Sequence, residues 1–212
     1  MRNITALCLV SLLASACEEK KPVPVTSKEG GFTVALPPGF PQPKAETKPL
    51  KTAAGKVSMI SYTSSKDDGT YAGVVYNEFP PLLLKLSSPE KILDGSQKGA
   101  LKRTGGKLLR QGKTTCAGHP GRFLYFVVTQ KGKTGYGRQL VCLANAKLFQ
   151  LIYIGWTREE LDTPEVAAFF KSLQFTGEEP GKDKKPAPKG ERPEPGGKKP
   201  GSKDEKPGPK KP

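Results

Sequence analysis

Short apolar runs separated by turn residues fill the chain from residue 31 to 176. Strand-like runs recur at Phe32 to Leu36, Lys56 to Ser64, Thr70 to Phe79, Lys107 to Thr115, Arg122 to Gln130, Gly135 to Ala144 and Lys147 to Trp156. The segments Asp67-Asp68-Gly69, Gly118-His119-Pro120-Gly121, Lys131-Gly132-Lys133 and Asn145-Ala146 are short connections of turn chemistry. They predict that neighbouring strands fold back as antiparallel hairpins. Two helices are predicted. The first opens at Ser87/Ser88 with Pro89 and Glu90 in its first turn, carries Ile92, Leu93, Ala100 and Leu101, and stops at Gly105-Gly106. The second opens at Thr163-Pro164-Glu165 and runs through Phe169-Phe170 to about Leu173. Both starts place a hydroxyl cap before proline and an acid, the arrangement that satisfies orphan amides and suits the helix dipole.

The last strands set the expected architecture. Arg122 to Gln130 presents Phe123, Tyr125 and Val127 on one face and Leu124, Phe126 and Val128 on the other, and Lys147 to Trp156 repeats the pattern. A sheet wetted on one side alternates apolar with polar, so this pattern predicts cover on both faces. The expected fold class is α+β: a mainly antiparallel twisted sheet covered by the two helices, an α/β/α sandwich.

The opening Gly31-Phe32-Thr33-Val34-Ala35-Leu36-Pro37-Pro38-Gly39-Phe40, the mid-chain helix, the hairpin strands and the closing Phe169-Phe170-Lys171-Ser172-Leu173-Gln174-Phe175 resemble the PsbP-like group, which includes DcrB-type bacterial lipoproteins. The resemblance spans about residues 31–176. It implies a shared fold and a binding role, and it carries no common catalytic set, so no site residue transfers with it.

The flanks differ in kind from the middle. Arg2 precedes an apolar run from Ile4 to Leu13 that ends in Ala14-Ser15-Ala16-Cys17. This reads as an export signal. The run falls short of the roughly 20 residues that a helix needs to cross a bilayer. The small residues before Cys17 resemble a lipobox, which makes Cys17 the expected lipidation site and residues 1–16 the signal peptide; Ala14-Ser15-Ala16 also suits ordinary cleavage and free secretion. Residues 17–30 read as a polar tether. Residues 177–212 contain nine prolines, seven glycines, 11 Lys+Arg and seven Asp+Glu, with Ala187 as the one apolar side chain apart from proline. Such a tail lacks the apolar surface to offset the entropy of ordering and reads as disordered.

Charge changes the picture next. The sequence has 35 Lys+Arg against 20 Asp+Glu, a formal net charge of +15. Lys98, Lys102, Arg103, Lys107, Arg110 and Lys113 fall along the first helix and the strand after it, and together they form a candidate patch for an anionic partner. Export argues against nucleic acid and toward lipid headgroups, phosphorylated glycans or acidic wall polymers. A solvated surface without a partner is the plainer reading of the same charges.

Candidate chemistry is sparse. Cys116 and Cys142 are the thiols left once Cys17 is acylated, and in an oxidising compartment a disulfide between them is expected. Closing about 25 residues stabilises by about 3.5 kcal/mol in the chain-entropy account. The spacing Cys116-Ala117-Gly118-His119, with Cys142, offers three ligands to zinc but lacks the fourth of a closed site. A Cys116/His119 nucleophile pair is the thiol-enzyme alternative. His119, before Pro120 in a glycine-flanked turn, is expected to be exposed. Asp67-Asp68-Gly69 reads as a turn, and Glu159, Glu160, Asp162 and Glu165 read as charges at a helix start. No dinucleotide loop, phosphate loop or nucleophile elbow occurs. The expectation is an exported envelope protein anchored to a membrane by lipid, non-catalytic, without cofactor or metal. It would bind an anionic envelope polymer or another envelope protein. The alternatives are an envelope hydrolase or thiol enzyme, and an electrostatic tether acting through the basic tail.

Overall fold

The computed structural model describes residues 20–176 apart from 53, 54 and 131. Ten strands and three helices follow in chain order: β1 (Val23–Ser27), β2 (Phe32–Leu36), β3 (Lys44–Thr52), β4 (Gly55–Ser65), β5 (Tyr71–Glu78), α1 (Pro81–Leu86), α2 (Pro89–Thr104), β6 (Lys107–Cys116), β7 (His119–Gln130), β8 (Lys133–Ala144), β9 (Lys147–Gly155), a 3-10 turn (Glu159–Asp162), α3 (Pro164–Lys171) and β10 (Gln174–Phe175). Seven strands form one antiparallel sheet in the order β3-β4-β5-β9-β8-β7-β6. β1, β2 and β10 form a second, smaller antiparallel sheet.

The predicted helices form where their caps stand. Ser88 accepts from the Lys91 amide ahead of Pro89, and Gly105 closes α2 in the left-handed region at φ 63°. Only glycine takes that conformation without a Cβ penalty. Thr163 likewise accepts from the Val166 amide at the start of α3.

Pairing register assigns the two faces of the large sheet, because residues directly opposite one another point the same way. Ala72, Val74 and Tyr76 of β5 stand beside Tyr153, Leu151 and Phe149 of β9, which stand beside Arg138, Leu140 and Cys142 of β8. This face packs against Phe32, Val34 and Leu36 of β2 and against Val166, Phe169 and Phe170 of α3. Phe32 is fully buried and meets Tyr62, Tyr76 and Phe149 edge-on with ring centres 5.6–6.0 Å apart. The opposite face carries Leu124, Phe126, Val128, Val141 and Leu148, which pack with Ile92 and Leu93 of α2.

Each face thus has its own cover, but a three-stranded sheet does most of the covering on one of them, with α3 beside it. The sequence reading missed that sheet. The sequence predicts a polar tether over residues 17–30, whereas Val23–Ser27 form β1 and bury Val25 and Ser27. Pro24 obscures the strand pattern, yet it is tolerated because β1 is an edge and leaves one side of its backbone unpaired. β3 was missed for a related reason: it is a polar edge strand containing Pro49.

Candidate functional site

The disulfide joins Cys116 to Cys142 with Cα atoms 6.2 Å apart. Cys116 ends β6 and Cys142 lies on β8, so the bridge spans the end of the intervening β7. Gly121 of β7 pairs with Cys142, and a Cβ there would meet the Val141 carbonyl oxygen at 2.8 Å. The disulfide leaves neither sulfur free as nucleophile or zinc ligand. Among the described residues no group of three His, Cys, Asp or Glu side chains is arranged to hold a metal.

His119 departs from its expected exposed turn. The turn is Ala117-Gly118, with φ 45° and 84°, and His119 is already the first residue of β7, paired with Cys116. Its ring is half-buried and meets Phe175 edge-on at 5.2 Å.

The six cations singled out in the sequence do not form one patch. Lys107 pairs with Val127 and Arg110 with Tyr125, which puts both on the face turned away from α2. Lys113 pairs with Arg122 on the α2 side, and Lys98 and Lys102 are exposed on the helix itself. Arg103, though exposed, donates to the Gln150 side chain at 3.4 Å, and partial burial lowers its pKa. A register shift between Leu108 and Arg110 adds a residue to β6 and separates the two ends of the run. The physical reason for the split is the period of a strand, which sends alternate residues to opposite faces.

Arg110 instead belongs to a cleft of about 380 Å³ at the β6–β7 end of the sheet face shared with α3. Thr114, Phe123, Tyr125, Arg138, Phe170 and Lys171 line it with Arg110. The Arg110 guanidinium lies 5.3 Å from the Phe123 ring centre and 5.7 Å from that of Tyr125. Arg138 lies 5.4 Å from Tyr125 and 4.6 Å from Phe170. Two guanidinium groups therefore alternate with three aromatic rings, an arrangement favoured by the negative faces of the rings.

Asp162 closes one end. Its Oδ1 accepts from the Tyr125 hydroxyl at 2.6 Å and from Arg138 Nη1 at 3.0 Å, while the same Nη1 donates to the Leu161 carbonyl at 3.0 Å. Burial, then the bond to Asp162, raises the Tyr125 pKa and keeps its hydroxyl a donor. Arg138 is thus held by the 3-10 turn, whereas no acidic side chain among the described residues pairs with Arg110. Arg110, Arg138 and Lys171 set three positive charges against one carboxylate that is already engaged. A phosphate or carboxylate matches such a cleft, since a guanidinium fork presents parallel donors to two oxygens.

Sequence reasoning found Arg110 but missed Arg138, Tyr125, Phe123 and Phe170. Phe123 and Tyr125 were read as a buried face; both are half-buried because neither the small sheet nor α3 extends over the β6–β7 corner. The acidic cluster at residues 159–165 divides its work. Asp162 serves the cleft, while Glu160 accepts from the Trp156 and Thr157 amides. Cys17 and residues 177–212 lie outside the described residues. Among the described residues no helix is long and apolar enough to cross a membrane.

No protein-family model and no curated protein matches the chain. Among solved structures it is similar to LpqN of Mycobacterium tuberculosis, a protein involved in cell envelope biogenesis, with 17% identity, 74% of this chain and 92% of that one covered, and a TM-score of 0.45. It is also similar to the cyanobacterial PsbP of Synechocystis, with 13% identity, coverage of 76% and 95%, and a TM-score of 0.47. At these scores neither likeness bears on ligand or location.

Proposed function

We propose that this chain is an exported envelope protein, acylated at Cys17, whose PsbP-like sandwich domain is a non-catalytic binding module for an anionic envelope component. The observation that carries this reading is Arg110: an exposed guanidinium stacked over two aromatic rings, with no acidic partner among the described residues, at the mouth of a cleft that Arg138 and Lys171 also charge. The export signal and the disulfide support an oxidising exterior compartment. The disulfide also removes the nucleophile that the thiol-enzyme alternative requires.

The test is co-sedimentation of residues 18–212 with vesicles of phosphatidylcholine containing phosphatidylglycerol, and binding to soluble lipoteichoic acid. One arginine near an anionic surface is worth about 1 kcal/mol, so Arg110→Gln is expected to weaken binding about fivefold and to reduce its salt dependence. Removal of residues 177–212 is expected to leave most of the affinity intact. If the truncated chain no longer binds and Arg110→Gln binds normally, the tail is the contact and the cleft is not.

A further inference from the structure

α2 is too short to roof its side of the sheet. Its 16 residues extend about 24 Å, while the 12-residue strands β7 and β8 extend about 40 Å. Past the glycine that ends the helix, Val128, Ile152 and Ile154 form the floor of an uncovered cleft of about 410 Å³, on the face opposite the Arg110 site. Gly135 keeps that floor open, since a Cβ there would already touch Ile154 and Val128 at 3.4 and 3.6 Å.

Trp156 makes the wall. Its indole N–H donates to the Asp68 carbonyl at 2.8 Å, and its ring edge rests against Gly69, where a Cβ would lie 3.0 Å from Cζ2. The ring is fixed in place, yet the residue remains 36% exposed. Lys133 is the charged side chain of the lining, its ammonium 5.6 Å from the Trp156 ring centre. Asp68 accepts from the Thr70 amide and Glu160 from the Trp156 and Thr157 amides, and neither forms an ion pair with Lys133. The chain's own tail is a poor occupant, having Ala187 as its one apolar side chain apart from proline. An apolar floor with a cation at its rim is complementary to one kind of molecule.

We propose that the cleft beneath Trp156 binds an anionic amphiphile, its single apolar chain lying along Val128, Ile152 and Ile154 and its carboxylate or phosphate paired with Lys133. This site is separate from the Arg110 cleft, and either can fail without the other.

Trp156 is the sole tryptophan of the sequence and reports on its own cleft. Residues 18–212 are titrated with decanoate, decyl phosphate, decanol and decyltrimethylammonium, each below its micelle concentration, while tryptophan emission is followed. A saturable change is expected with the two anions, the tighter of them identifying the headgroup. Binding of decyltrimethylammonium is expected to be weaker by about tenfold or more, the value of one charge-assisted contact. Lys133→Glu, an exposed change, is expected to reverse that preference; Gly135→Val is expected to block binding while thermal unfolding stays cooperative. Arg110→Gln is expected to change nothing. Absence of any response, equal response to anion and cation, or a response that follows protein rather than probe concentration would overturn the proposal, the last pointing to a second copy in the cleft.

Discussion

Ala146 holds φ at 64° in the two-residue turn between β8 and β9, beside Asn145 at 50°. Both positions of this tight hairpin need the left-handed region, which asparagine tolerates and alanine does not. Ala146→Gly is therefore expected to stabilise by about 0.5–1 kcal/mol, the relief of Cβ strain less the entropy that glycine loses on folding. The Phe79 amide bond to the Ala146 carbonyl survives the change. Urea unfolding measures it, and a loss of stability would show that the turn is not strained. Tyr76 presents a different residue-level cost. Its hydroxyl is buried without a hydrogen-bond partner among the described residues, while Ser27 Oγ nearby already accepts from the Gly30 amide and the Tyr62 hydroxyl. A buried unpaired hydroxyl costs about 1–3 kcal/mol. Tyr76→Phe keeps the ring stacked on Phe149 and is expected to be neutral or stabilising by the same assay; destabilisation by more than about 1 kcal/mol would reveal a partner for that hydroxyl.

Helix α2 is fastened to its sheet by polar contacts as well as by Ile92 and Leu93. The Asp94 carboxylate accepts from Arg122 Nε at 3.0 Å, and Gln97 donates to the Phe123 carbonyl at 3.3 Å. The Arg122 side chain is only 8% exposed, so removing its anion leaves a charge poorly solvated. Asp94→Ala is expected to cost about 1–3 kcal/mol, discounted because the carboxylate itself is half exposed. Adding Arg122→Met to that variant is expected to recover part of the loss, since an apolar side chain fits beneath the helix; simple additivity of the two changes would refute the coupling. α2 and α3 were legible because their signals are local: Ser88 with Pro89 and Gly105, Thr163 with Pro164. β1 and β3 were not, because each carries a proline, Pro24 or Pro49, that breaks the strand signal and is tolerated only at an edge, although each pairs with the next strand in sequence. The strands in between were legible as apolar runs bounded by short turns, down to the hairpin order β6 to β9.

At the scale of the molecule, the candidate clefts depend on what fails to cover the sheet, and no local pattern states that. Phe123 and Tyr125 have the same apolar signature as the core residues of β7, and only the reach of the small sheet and α3 leaves them open. The Cys116–Cys142 pairing was readable because these are the two cysteines beyond Cys17, and the expected export leaves them few alternatives. Burial of phenols in the sheet carries a global consequence for pH. Burial, aided by the nearby charges of Glu160 and Asp68, pushes the Tyr153 pKa up to about 12, and burial also raises Tyr71, Tyr76 and Tyr125. An unfolded tyrosine ionises near 10. Below about pH 10 both states keep the phenol proton and stability is fully present; between 10 and 12 the unfolded chain releases protons that the folded chain retains, so stability falls as pH rises. Tyr153 is the most strongly shifted of the four, and Tyr153→Phe preserves its edge contact with Phe40. Guanidinium unfolding at pH 8, 10 and 11 is expected to give a shallower alkaline loss for Tyr153→Phe than for the parent. The difference between the two proteins isolates the phenol, because lysine titration is common to both. Identical slopes above pH 10 would mean that Tyr153 ionises in the folded protein as readily as in water, and that this face of the sheet is wetter than its packing implies.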